Sequence, residues 1–144
     1  MGEGEDKQYL ERLISDHNLT ERARLVGRAG NISDWYNAAD VFALTSSTEG
    51  FPNALIEAMA HGVPCVSYDC LTGPGEIIDD TINGLLVETS NKQALTSALE
   101  RLFSSTDYRQ EISLNSKDII SRLDPSAVMA VWEREMDRLT SIDH

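Results

Sequence analysis

Cysteine, histidine and basic charge are all scarce in this chain, and each shortage removes a class of function. Two cysteines, Cys65 and Cys70, stand among 144 residues. Their odd offset turns them to opposite faces of one strand and neither belongs to a metal-type CxxC pair, so two reduced thiols are expected, at least one of them buried. His17, His61 and His144 share no ligand-like spacing, so no bound metal is expected; no cofactor is expected either. Twelve lysines and arginines face 24 acids, a net charge of -12, with no basic cluster to follow a phosphate backbone or an anionic leaflet. Nucleic acid and direct membrane contact are therefore not expected partners. No apolar run approaches the roughly 20 residues that span a bilayer. The start, "MGEGEDKQ", is acidic where a signal peptide would be basic and then apolar. The expected location is cytoplasmic, and for a longer protein containing this chain a peripheral place at the inner face of the cell membrane is allowed.

What is present reads as one folding unit: the length suits a single domain, and 41% hydrophobic with 25% charged residues is ordinary globular composition. Leu10, Leu13 and Ile14 in "EDKQYLERLISDH" make the stripe of an amphipathic helix ending near Asn18. "RLVG" (24–27) reads as a short strand, followed by a brief helix near Ser33 to Ala38. "DVFALTS" (40–46) is too continuously apolar for a strand with one wet face and reads as a central parallel strand. A helix over Asn53 to His61 is stopped by Gly62 and Pro64. "PCVSYD" (64–69) and "GLLVE" (84–88) are two further buried strands. Three helical stretches, "NKQALTSALERLF", "YRQEISLNSKDIISRL" and "PSAVMAVWEREMDRL", close the chain, with Trp132 and Met136 expected as packing residues and Pro125 in the last helix's first turn. Strands alternating with helices imply parallel βαβ units whose ligands sit at the carboxyl ends of the strands.

That rule draws attention to "STEGFPN", the turn after strand 40–46. The next helix aims its N-terminus, with unpaired N–H groups and a partial positive charge, into the crevice, so Gly50, Phe51, Pro52 and Asn53 form an anion cradle that needs no cation. Gly50 lets a ligand approach the backbone. Two carboxylates, Glu49 and Glu57, flank this cradle, and ionised carboxylates accept the hydrogen bonds that sugar hydroxyls donate. Phosphate beside sugar suggests a nucleotide-sugar. Periodicity alone allows a blander account, because Asn53, Glu57 and His61 lie on one helical stripe that could simply face solvent, and an acid near a helix start commonly compensates the dipole.

The motifs decide between these. "EGFPNALIE", an E-x7-E pair made by Glu49 and Glu57, with "EAMAHGVPCVSYD", "GPGEII", "LVGR" and "NGLLVE", resembles the donor-binding domain of retaining GT-B glycosyltransferases of family 4, and the likeness runs through nearly the whole chain. The resemblance implies an α/β, Rossmann-like doubly wound parallel sheet, the C-terminal half of a GT-B enzyme. It implies that Glu57 bonds the ribose hydroxyls, that Glu49 holds hydroxyls of the transferred sugar and is the catalytic-site acid, and that Gly50 and Phe51 present amides to sugar and pyrophosphate. Arg28 would border the base, and Glu76 of "GPGE" would lie in the next crevice loop; an ordinary surface charge is the other account of Arg28. "GEG" (2–4) is at most a minor phosphate-loop signal.

"YDC" before "GPGEII" is similar to bacterial members that build surface glycans from UDP-hexoses or UDP-N-acetylhexosamines. The implied partners are a nucleotide-sugar donor and a glycan or lipid-linked acceptor, the latter held by an N-terminal domain that these residues do not include. The opening strand with its glycine-rich loop, and the arginine and lysine that meet the donor phosphates in that family, are also missing from residues 1–144. The expectation is a partial nucleotide-sugar-binding domain that binds donor without transferring it, and whose exposed sheet edge invites self-association. A non-catalytic donor-binding subunit or sensor is the rival expectation, and an unrelated doubly wound interaction domain a third.

Overall fold

The computed structural model of the chain describes residues 4–140. The chain divides into two compact units, Met1–Trp35 and Tyr36–His144. In the first, α1 (Lys7–Asp16) forms where the stripe requires it, with Leu13 and Ile14 half-buried, and it ends as His17 donates its N–H to the Leu13 carbonyl at 3.1 Å. The strand expected at "RLVG" does not form. Leu25 and Val26 stay exposed, and Gly27 sits at φ +63°, a left-handed conformation that ends any extended run. Four residues with no ladder partner cannot hold themselves extended. α2 (Ile32–Ala38) runs across the boundary between the units.

The second unit contains a parallel sheet of β1 (Phe42–Leu44), β2 (Cys65–Asp69) and β3 (Leu85–Glu88) in the order β1-β2-β3. Phe42 pairs with Cys65 and Val66 with Leu85. β1 is thus an edge strand and β2 the central one, which corrects the central place expected for 40–46. Nor is β1 covered on both faces: Phe42 and Leu44 are half-buried and Ala43 is exposed, so the apolar run reports neither the number of neighbours nor full burial. β2 is covered as expected, with Cys65, Val66, Ser67 and Tyr68 all buried, whereas at the other edge β3 buries only Leu85 and leaves Leu86 and Val87 half-buried, short of the buried strand expected there. Both cysteines are free and buried, as expected.

One face of the sheet presents Val66 and Leu85 to Leu102 of α5 (Lys92–Ser104) and Ile112 of α6 (Thr106–Ser116), with Val87, Leu95 and Leu99 packed around them. Burying each such side chain stabilises by about 1.5–3 kcal/mol, and that packing holds the strand ends in place. Ser113 and Ser116 of α6 donate hydroxyls to the carbonyls of Gly62 (2.6 Å) and Met59 (3.2 Å), tying α6 to the end of α3 (Asn53–Ala60). α3 stops as its sequence dictates: Gly62 lies at φ +75°, and its N–H and that of Val63 close back on Met59 and Ala58.

The remaining helices refine the expectations. "GPGEII" contains a one-turn helix, α4 (Pro74–Ile77), and the stretch 108–123 breaks at Lys117 into α6 and α7 (Asp118–Arg122). α8 (Pro125–Thr140) begins as Asp124 Oδ1 accepts from the N–H groups of Ser126 and Ala127. None of its residues is buried; Trp132 and Met136 are 63% and 61% exposed, which corrects their expected packing role. Helical spacing marks an apolar stripe but not a partner for it. No helix among the described residues is long and apolar enough to cross a membrane.

Candidate functional site

The carboxyl ends of β1 and β2 deliver two loops, 45–52 and 70–73, and the structure fastens them together. Thr72 donates its hydroxyl to the Glu49 carbonyl. Gly73, at φ +100°, packs so closely that a Cβ there would come within 2.6 Å of Pro52 Cδ. Only glycine serves, because the conformation and the contact both exclude a side chain. Pro52 is buried and accepts the N–H groups of Leu55 (3.0 Å) and Ile56 (3.2 Å), so α3 starts from a fixed point.

The expected cradle lies at this start. Gly50 and Phe51 are exposed, and among the described residues the amides of Gly50, Phe51 and Ala54 donate no hydrogen bond. Asn53 N–H turns back to the Phe51 carbonyl at 2.9 Å and is not available. Asn53 therefore contributes its place on the helix and not its amide. Glu49 is half-buried beside the cradle and Glu57 is exposed one turn further along α3.

Asn53, Glu57 and His61 do all face solvent, as the stripe argument allowed, yet Glu57 is not a loose surface acid. The hydroxyl of Tyr36, at the end of α2, lies 3.1 Å from Glu57 Oε2 and 3.2 Å from the Ala54 carbonyl. Burial, then the bond to Glu57, push the Tyr36 phenol up to about 12, so it stays a protonated donor. His61 Nδ1 reaches the Glu57 carbonyl at 2.7 Å, closing the last turn of α3.

Glu76 is exposed in α4, with its side chain free of hydrogen bonds among the described residues, while its carbonyl and that of Ile77 accept from Arg122, both at 2.9 Å. Arg122 thereby satisfies the carbonyl end of the one-turn helix, and Asp79 stands 3.7 Å from the same guanidinium. Arg28 is exposed in the first unit with no hydrogen bond or ion pair among the described residues. Gly2 and Glu3 of "GEG" lie outside the described residues. A separate hollow of about 670 Å³ opens at the ends of β2 and β3, walled by Asp69, Asp80, Glu88 and Thr89. It includes none of the expected site residues. No three His, Cys, Asp or Glu side chains gather as metal ligands would among the described residues.

Loop 45–52 with Glu49, followed by α3 with Glu57 and the "GPGE" turn, sits in a chain whose residues 1–119 match the glycosyl transferases group 1 family. The chain belongs to that family. Relatives of this glycosyl transferase group 1 chain include the amylovoran biosynthesis glycosyltransferase AmsD of Erwinia amylovora, 33% identical over 92% of this chain and 37% of that protein. The lipopolysaccharide 1,6-galactosyltransferase of Escherichia coli K12 is 30% identical over 78% of this chain and 34% of its own length. The chain thus spans about a third of the length of these relatives.

Solved structures share the fold. A TarM structure from S. aureus in complex with fondaparinux, alpha-GlcNAc-glycerol and UDP superposes with a TM-score of 0.85 at 25% identity, over 92% of this chain and 27% of that one. HepE from Anabaena in complex with UDP gives 0.78 at 25% identity, over 94% and 38%. The C-terminal domain of a group 1 family protein, LpcC of Francisella tularensis, gives 0.70 at 29% identity, over 81% and 61%. The α/β fold with its parallel sheet is the Rossmann-like half of GT-B glycosyltransferases, as the motifs implied.

Four residues that position the site were not found by sequence reasoning: Tyr36, Thr72, Gly73 and Arg122. Only Gly73, inside "GPGE", stood within a motif. The other three act through partners more than 20 residues away in the chain, and no local spacing announces such contacts.

Proposed function

We propose that this chain is the donor-binding part of a retaining glycosyltransferase that moves a hexose or N-acetylhexosamine from a UDP-linked donor to a glycan or lipid-linked acceptor. Glu57 receives the ribose hydroxyls, Glu49 those of the transferred sugar, and the amides of Gly50 and Phe51 meet the sugar and diphosphate, with Glu76 lining the crevice. The observation that carries this reading is the set of undonated amides at the start of α3 bracketed by two carboxylates at the carboxyl edge of a parallel sheet. Anion cradle and hydroxyl acceptors are the two halves of a nucleotide-sugar. Its support is family membership together with the UDP named in two matched structures.

The test is calorimetric titration of UDP into the chain and into Glu57→Ala. Hydrogen bonds to a charged group are worth about 1.5–3 kcal/mol, so the variant should bind UDP ten- to a hundredfold more weakly while melting at an unchanged temperature. Equal affinity in a folded variant removes the ribose assignment.

A further inference from the structure

Glu57 stands on an exposed helix face, where a glutamate ordinarily samples several rotamers and loses that freedom when it binds. Here the freedom is already restricted from behind. We propose that Tyr36 is the positioning residue for Glu57: its phenol holds Oε2, fixing the carboxylate so that Oε1 and the free lone pair of Oε2 face a diol. The inference rests on the ribose role given to Glu57 above.

Three observations support it. Tyr36 is itself immobilised, only 5% exposed, with its ring edge-on to Phe42 at 6.1 Å between centroids and tilted against His61 at 5.2 Å. His61 is held in turn by the Glu57 carbonyl, so the aromatic stack and α3 brace each other. The single phenolic proton has two acceptors, Ala54 O and Glu57 Oε2, and the charged oxygen is the stronger. A carboxylate has about four acceptor positions; one bond to Tyr36 leaves enough for both ribose hydroxyls. Preorganisation of this kind improves affinity by lowering the ordering cost of binding, without adding a contact to the ligand. Tyr36 touches no ligand in this scheme.

The decisive comparison uses UDP and 2′,3′-dideoxy-UDP against the full chain, Tyr36→Phe, Glu57→Ala and the double variant. Tyr36→Phe keeps the ring and should lose about three- to tenfold in UDP affinity with dideoxy-UDP unaffected, and in Glu57→Ala the same change should cost nothing further. Equal losses for both nucleotides would make Tyr36 a packing residue and overturn the proposal. UDP affinity kept by Tyr36→Phe but lost by Glu57→Ala overturns it too, while leaving the ribose role standing. If Glu57→Ala still prefers UDP to dideoxy-UDP, the ribose role falls and the proposal with it. Carbon-13 labelling of the tyrosine Cζ atoms gives a second readout that needs no change at Tyr36: its ionisation should move down toward the ordinary range in Glu57→Ala, and its resonance should respond to UDP and not to dideoxy-UDP. A Tyr36 signal indifferent to both refutes the arrangement even where Tyr36→Phe does not fold.

Discussion

Glu49 and Glu57 are held by opposite parts of themselves. Glu49 is fixed through its carbonyl by Thr72 and its carboxylate makes no hydrogen bond among the described residues, whereas Glu57 is fixed through its carboxylate by Tyr36. A carboxylate without protein partners is available in full to a ligand's hydroxyls. Glu49→Gln is therefore expected to weaken a UDP-sugar by about tenfold and to leave bare UDP within twofold, because its contact in the proposed complex is with the sugar. The measurement is the ratio of the two affinities by calorimetry; equal losses would mark Glu49 as structural. At this scale the pair of acids was legible, since their spacing across one turn and one helix is a local pattern. Tyr36 was not, because a tyrosine ahead of a strand says nothing about a glutamate 21 positions later.

Two loops behave as one piece because Gly73 lets them touch. Alanine at 73 would have to place a Cβ 2.6 Å from Pro52 Cδ in a backbone conformation that side chains rarely adopt. Such strain costs on the order of 1–3 kcal/mol. Gly73→Ala is expected to lower the urea midpoint accordingly and to weaken UDP binding at the same time, since Pro52 also anchors the start of α3. A variant with the wild-type midpoint would show that the loops separate at little cost. Elements with long patterns were readable: α3 with its Gly62 stop, β2 and β3 all stand within a residue of where their patterns put them. α4 was not, being one turn long and finished by Arg122 from far along the chain. "RLVG" failed for the related reason that strand propensity without a ladder partner has nothing to pay for extension.

The alternation of strands and helices settles the architecture of the second unit, while the order of its strands had to be seen. β1 has a single described neighbour, β2, and among the described residues no strand pairs with its outer edge, beside half-buried Phe42 and Leu44. Open edges of this kind recruit other chains. Sedimentation velocity on the 144-residue chain is expected to show a concentration-dependent dimer, and a lysine at Ala43, the exposed residue of β1, should suppress it. A monomer at every concentration would mean the edge is otherwise protected.

α8 belongs to this scale as well. None of its residues is buried, and its apolar stripe of Met129, Trp132 and Met136 lies open along the helix. A helix that contributes no side chain to a core does not share the core's protection against opening, because local unfolding there exposes almost no surface that was not already wet. Its amides, from the second turn onward, are expected to exchange with deuterium close to the rate of an isolated peptide helix, while those of β2 wait for global unfolding. Hydrogen exchange by mass spectrometry checks this; slow exchange in α8 would contradict it. The molecule thus has two clocks, and denaturation followed by far-ultraviolet circular dichroism, which counts every helical peptide, should begin before the transition reported by near-ultraviolet signals from buried Tyr36 and Tyr68.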